Sequence, residues 1–245
     1  MTYNKGLLKE IQYVKGVGPA RAALFNKLGI KNIANLLYYF PREWVDRTDV
    51  RTINKVVLGE KQTVKGVVTA METRKVRGNL KITSVLIRDE SGYITGVWYN
   101  QPYMEKIFKK GDMVMFYGKV EMFRGAFQIP TPEYEVLNRV KPEGTSGNLE
   151  EQDLLNMNRI VPIYPLTDKI TQKQFRKIVK YAVDNYGGMI EDGLPISVIK
   201  KYSLMPAKDA VLNAHFPESR EKLDAAKKRI IFEEFFYLQY ALLSR

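Results

Sequence analysis

Trp98, Tyr99 and Tyr103 crowd into six residues of "VWYNQPYMEKIFKK", with Lys106, Lys109 and Lys110 directly behind them. Aromatic rings can stack on nucleic-acid bases, and ammonium groups can hold phosphates, so this spacing suits a nucleic-acid contact. It also suits the packing of a small core. Alternation along a strand divides the rings between the two uses, because neighbouring side chains point to opposite faces. If Trp98 shares the inner face of Ile94 and Gly96, Tyr99 shares that of Val97 and leans outward. Tyr103 then begins the helical turn that follows, either as a stacking ring or as a cap on the end of a barrel.

Cations gather in two further places. "TRKVRGNLK" carries Arg74, Lys75, Arg77 and Lys81 around Gly78, and "GKVEMFRGAF" carries Lys119 and Arg124. Both read as hairpins whose tips are suited to phosphate contacts, although plain surface charge explains such residues equally well. "KGVGPARA" offers a third candidate. Gly16 and Gly18 permit positive φ and close backbone approach, and Pro19 starts a helix whose N-terminal amides can face a phosphate, with Lys15 and Arg21 flanking. This is the hairpin of a helix-hairpin-helix module, or else a tight turn that only packs.

The totals agree with a polyanionic partner. The 245 residues carry a formal charge of +12, which raises the local potential for nucleic acid or an anionic surface. Residues 51–140 hold 15 basic and 9 acidic side chains, half of the excess, whereas residues 141–245 hold 16 and 14. Other chemistries fare poorly. There is no cysteine and one histidine, His215, which leaves no ordinary zinc site, disulfide or thiol nucleophile. No GxxxxGK[ST], HExxH or GxSxG run is present, and His215 in "NAHFP" reads as a packing residue. Neither a signal peptide nor an 18-residue apolar run is visible, so a cytoplasmic protein without membrane partner or small-molecule substrate is expected.

Three segments must position these groups. Residues 1–50 read as helical, with "LLKEIQYV", "PARAALFNKLGI" and "NIANLLYYF" as helices and "PREWVDRTDV" as an irregular connector. Residues 51–140 change to period two. Five β-rich runs are punctuated by "RGN", "DESG", "KKGD" and "RG", with one helical break, "QPYMEKIFKK", after the third. That is the layout of an OB-fold barrel, or of another small barrel or sandwich. Residues 141–245 open on a polar loop, "KPEGTSGNLEEQD", and then turn helical. Thr171 caps a helix with Phe175, Ile178, Val179 and Ala182 on one face. A long terminal helix carries Ile230, Ile231, Phe235, Leu238 and Leu242. The expected class is α+β: a five-stranded OB-fold β-barrel flanked by an N-terminal helix-hairpin-helix-like segment and a C-terminal helical segment.

Taken in order, "VKGVGPARAALFNKLGI", "NLLYYFPREWVDRT", "VWYNQPYMEK", "YGKVEMFRGAFQIPTPEYEV", "VPIYPLTDKITQKQFRKIV", "AHFPES" and "AKKRIIFEEFFYLQYALL" resemble the N-terminal region of RecG-type ATP-dependent DNA helicases over nearly the whole chain. The resemblance implies a wedge domain of OB fold that splits branched DNA, replication forks and Holliday junctions, in DNA repair and recombination. It implies that Tyr99 and Tyr103 stack on bases beside the branch. Tyr99 stands where relatives often have Phe, and Thr131 stands where they commonly have His. It further implies motor domains of the same longer protein, using ATP and Mg2+. On that reading this sequence is an N-terminal fragment that binds branched DNA and needs no cofactor. Two other classes stay open: a general OB-fold module for single-stranded DNA or RNA, and a protein-interaction scaffold.

Overall fold

In a computed structural model of the chain, residues 4–138, 155–167 and 169–243 are described, and the side chains of Arg77 and Asn138 lie outside that description. The chain divides into two compact units, Met1–Val45 with Ile160–Arg245, and Asp46–Arg159. The division by composition into 1–50, 51–140 and 141–245 therefore differs from the packing. Residues on either side of the middle segment share one apolar core: Phe25, Ile33 and Leu37 lie in the same cluster as Phe175, Val179 and Val211. Burial of one continuous face joins segments that composition keeps apart.

The first unit is mainly helical: α1 (Pro19–Lys27), α2 (Ile33–Leu37), α3 (Gln172–Tyr186), α4 (Ile196–Lys201), α5 (Ala207–His215) and α6 (Arg220–Leu243). Thr171 caps α3 through a reciprocal pair with Gln174, and Phe175, Ile178, Val179 and Ala182 are buried. "LLKEIQYV" is not one helix. It is two short 3-10 turns, Lys5–Leu8 and Ile11–Tyr13. Backbone bonds of the extended residues between them, Ile33 N to Lys9 O at 3.1 Å and Ile11 N to Lys31 O at 3.0 Å, take the place of helical ones. "PREWVDRTDV" is not irregular either. It contains β1 (Glu43–Asp46) and ends on the first residue of β2 (Val50–Arg51), and β1 pairs with β10 (Ile160–Ile163).

The second unit carries β3 (Lys61–Lys75), β4 (Lys81–Arg88), β5 (Tyr93–Tyr99), β6 (Met113–Lys119), β7 (Glu121–Phe123), β8 (Ala126–Pro130) and β9 (Glu133–Asn138). The sheet runs β7-β8-β5-β4-β3-β6-β9, with β2 beside β3. Among the described residues of this sheet, β5–β8 and β2–β3 are parallel and the other pairs antiparallel. β6 passes into β7 through Val120, and β8 into β9 through Thr131 and Pro132, so the two ends of the curled sheet belong to adjoining stretches of chain. The result is an α+β chain with an OB-fold-like sheet, the expected class, although the ladder does not close into a complete barrel.

The inside of this sheet is aromatic. Trp98 is 2% exposed and meets Phe116 edge-on at 5.5 Å and Phe108 at 5.5 Å. Gly96 makes room for it. A Cβ there would lie 2.8 Å from both the Trp98 and the Phe116 rings, which is closer than packed carbon atoms approach. Arg47 is buried in the same unit, where it makes two bonds to Glu133, at 2.8 and 3.0 Å, and lies 3.8 Å from the Tyr117 ring.

Candidate nucleic-acid interface

The pleat of β5 sorts the rings. Ile94, Gly96 and Trp98 face the core, and Tyr93, Thr95, Val97 and Tyr99 face the other way. Tyr99 is 42% exposed. Across the sheet Tyr99 pairs with Ile82, and Ile82 with Arg74. A cation, an aliphatic side chain and an aromatic ring thus form a row over three strands, with Arg74 about 10 Å from Tyr99 in backbone spacing.

The chain is held where it leaves β5. Asn100 N donates to Lys81 O at 2.7 Å, and Lys81 N donates to the Asn100 side chain at 3.2 Å. The Thr83 hydroxyl donates to Gln101 O at 3.2 Å. A single 3-10 turn, Pro102–Lys106, follows. Met104 and Phe108 are buried and anchor the turn, so Tyr103 points away from the core and is 57% exposed. Its hydroxyl donates to Gln101 Oε1 at 2.9 Å. Burial raises the Tyr134 phenol above its ordinary value, and the nearby Tyr103 oxygen adds to the shift. Tyr134 packs against Phe108 at 5.0 Å. Tyr103 therefore stands over the aromatic core rather than inside it.

The β3–β4 hairpin brings its cations to the same end. Lys75 pairs with Lys81 across the ladder, and Arg74, Lys75 and Lys81 are exposed. None of the three makes an ion pair among the described residues. Arg77 belongs to the turn Arg77–Asn79 at the tip, and its side chain lies outside the described residues. The register separates the remaining two cations from this group. β8 runs parallel to β5 with Thr95 opposite Gln128, so Arg124, in the turn before β8, lies beyond the Tyr93 end. Lys119 pairs with Lys61, six residues before the point where β3 meets Arg88. The Arg124 guanidinium sits 5.3 Å from the Phe123 ring centroid.

The N-terminal hairpin belongs to the other unit. Gly16 has φ +91°, which a side chain resists. Gly18 does not need that freedom: its φ is −73°, and it caps α1 with Pro19 next in line. Arg21 turns back and donates to Gly16 O at 2.6 Å, while Lys15 is exposed. His215 is fully buried. Its Nε2 donates to Leu37 O at 2.8 Å, so its Nδ1 accepts from the Tyr164 hydroxyl at 2.9 Å. Burial lowers its pKa to about 4, against a smaller upward pull from the Leu37 carbonyl. Among the described residues no cluster of His, Asp and Glu could hold a metal ion, and no helix is long and apolar enough to cross a membrane.

Residues 10–186 match the RecG wedge domain family. The chain belongs to that family. It is 34% identical over 237 residues to the ATP-dependent DNA helicase RecG of Thermotoga maritima, covering 96% of this chain and 29% of that protein. Against the Bacillus subtilis RecG it is 30% identical, covering 94% of this chain and 31% of that one. A solved structure of RecG bound to a three-way DNA junction superposes with a TM-score of 0.80 at 32% identity, over 98% of this chain and 31% of its counterpart. The chain thus spans about three-tenths of the length of these relatives.

One outward ring escaped the sequence reading. Tyr93 is 54% exposed and lies on the Tyr99 face. The signal was present in their even separation of six residues along one strand.

Proposed function

We propose that this chain is the branch-recognising wedge of a RecG-type DNA helicase, acting on forks and Holliday junctions in DNA repair and recombination. Tyr99 and Tyr103 stack on the last bases at the branch. Arg74, Lys75, Arg77 and Lys81 hold the adjoining phosphates, and Lys119 and Arg124 hold backbone farther along the sheet. The hairpin of Lys15, Gly16, Gly18 and Arg21 gives a further phosphate contact. The observation that carries this reading is two exposed rings beside Arg74, Lys75 and Lys81, which make no ion pair among the described residues. The wedge fold and the junction-bound relative support it.

Recognition is of shape rather than sequence. Stacking accepts any base, and phosphate contacts carry no sequence information. The chain's residues do not fit a nucleotide cofactor: no phosphate-loop motif is present, and the described residues offer no metal cluster. ATP and Mg2+ are assigned to motor domains of the longer protein, which pull the duplex against the wedge. The location follows as cytoplasmic, with the DNA.

Band-shift titrations on a three-way fork, matched duplex, single strand and hairpin RNA test the proposal. Tyr99→Ala with Tyr103→Ala is expected to weaken fork binding by about 30-fold or more, at roughly 1 kcal/mol or more for each base, with duplex binding unchanged. Equal losses on fork and duplex, or none, reject the stacking role. Equal wild-type affinity for single strand or RNA points to the general OB module instead.

A further inference from the structure

The outer face of β4 and β5 does not end at Tyr99. At its opposite end Tyr93 pairs with Arg88, Arg88 with Val67, and Val67 with Met113. These side chains and Lys65 line an open groove of about 980 Å³. Lys65 and Arg88 are exposed and make no ion pair among the described residues.

The carboxylates nearby are unequal competitors. Both oxygens of Asp89 are occupied, accepting from Ile53 N at 2.8 Å, from Ser91 N and Oγ at 2.7 Å and from Gly92 N at 2.9 Å. Glu90 is the remaining acid on the groove, and Arg51 is there too, paired with Asp49. Asp89 keeps its charge, so Arg51, Lys65 and Arg88 stand against Asp89 and Glu90 on the groove; Lys65 and Arg88 are the cations left without an ion pair among the described residues, beside one exposed ring.

Resting on the wedge reading above, we propose that this groove is a second DNA site, which holds one single-stranded arm after it has left the branch. A base stacks on Tyr93, and Lys65 and Arg88 take the flanking phosphates. Tyr93 lies six residues from Tyr99 on one strand, about 20 Å away. That span takes about four nucleotides, the lower end of the single-strand site size of an OB fold. Between the two rings this face carries Ser84, Leu86 and Thr95, which are half-buried, and Val97, which is buried, so the path of the strand runs over the β4 side of the face. A ring meets an open base face at a duplex end or at an unpaired base, and Tyr93 lies about 20 Å along the sheet from the branch rings, where an arm that has left the branch offers unpaired bases.

The test uses the whole chain and forks whose single-stranded arm is two or eight nucleotides long, with a fluorescent base analogue moved along the arm. The wild type is expected to quench the analogue at the branch and again several nucleotides away. Tyr93→Ala should erase the distant signal and weaken long-arm binding about fivefold or more, with short-arm binding unchanged. Tyr93→Phe should restore both. Lys65→Gln with Arg88→Gln should flatten the salt dependence for the long arm alone. A Tyr93→Ala protein that keeps the distant signal and the long-arm affinity, or loses affinity equally on both arms, overturns the groove. The Tyr99→Ala, Tyr103→Ala protein is run beside it. Loss there with none at Tyr93 overturns the groove and leaves the branch reading standing. Loss at Tyr93 alone supports the groove and rejects the branch reading.

Discussion

The two units use their charges in opposite ways. In the helical unit two large polar side chains, Arg229 and His215, are turned inward and bonded. Arg229 is fully buried and bonds to Asp192 at 2.7 Å and to Glu233. His215 is locked between Tyr164 and Leu37. In the sheet unit, Arg47 is spent the same way on Glu133, but Arg74, Lys75, Lys81, Lys65 and Arg88 are left outside beside Tyr99, Tyr103 and Tyr93. A buried ion pair holds a fold together only if both charges stay matched. An exposed cation contributes little to stability and remains available to a polyanion. The contrast teaches that net charge alone does not pick out a candidate surface; exposed rings beside cations occur in the helical unit too, at Tyr13 with Lys9 and Tyr202 with Lys201, and the sheet unit differs in gathering several of them.

Four experiments test that contrast. Arg229→Met should destabilise the helical unit most, by about 3–5 kcal/mol, because it strands Glu233 and Asp192. Burial already holds the Glu233 carboxyl above its ordinary value despite Arg229. Denaturant unfolding checks it, and a loss below 1 kcal/mol would show the network to be dispensable.

Acid should come next. His215 has a native pKa of about 4 against about 6.5 unfolded. The unfolded chain therefore takes up a proton that the native one refuses, and stability is full above pH 6.5 and falls as pH drops toward 4. The total is about 3 kcal/mol. His215→Asn should lack this part of the profile, and identical pH curves for the two proteins would rule it out.

Arg47→Ala should cost the sheet unit about 2–3 kcal/mol through its charged hydrogen bonds, somewhat less than Arg229 because Glu133 is partly exposed. Smallest in stability are Lys75→Gln and Lys81→Gln, within about 0.5 kcal/mol. Each should nevertheless lower the slope of log affinity against log salt by about one. An unchanged slope would remove those lysines from the DNA contact.

Much of the sheet unit was legible in one dimension. The first three period-two runs marked β3, β4 and β5, the last two each hold two strands, β6 with β7 and β8 with β9, and the parity of β5 put Trp98 inward and Tyr99 outward. Thr171 announced the start of α3. The missed pieces have no local signature. β1 and β10 are four residues each and find one another across more than a hundred residues of chain, so neither shows a pattern by itself. "LLKEIQYV" has helical spacing, yet backbone pairing with Lys31 and Ile33 broke it in two. Burial of Arg47 could not be read, because the carboxylate that answers it is 86 residues away.

Side-chain alternation is local, so the order of residues was enough to set Trp98 and Tyr99 on opposite faces of β5 and to show cations crowding two hairpins, while the exposure of Tyr103, outside any strand, came only with the fold. Register is not local. It depends on hydrogen bonds between strands distant in the chain, and it alone decided that Arg74, Lys75 and Lys81 join Tyr99 at one end while Lys119 and Arg124 lie toward the other. The folded sheet also set Tyr93 and Arg88 on the rim of a groove, because there β3 runs beside β4 on one edge and β6 on the other.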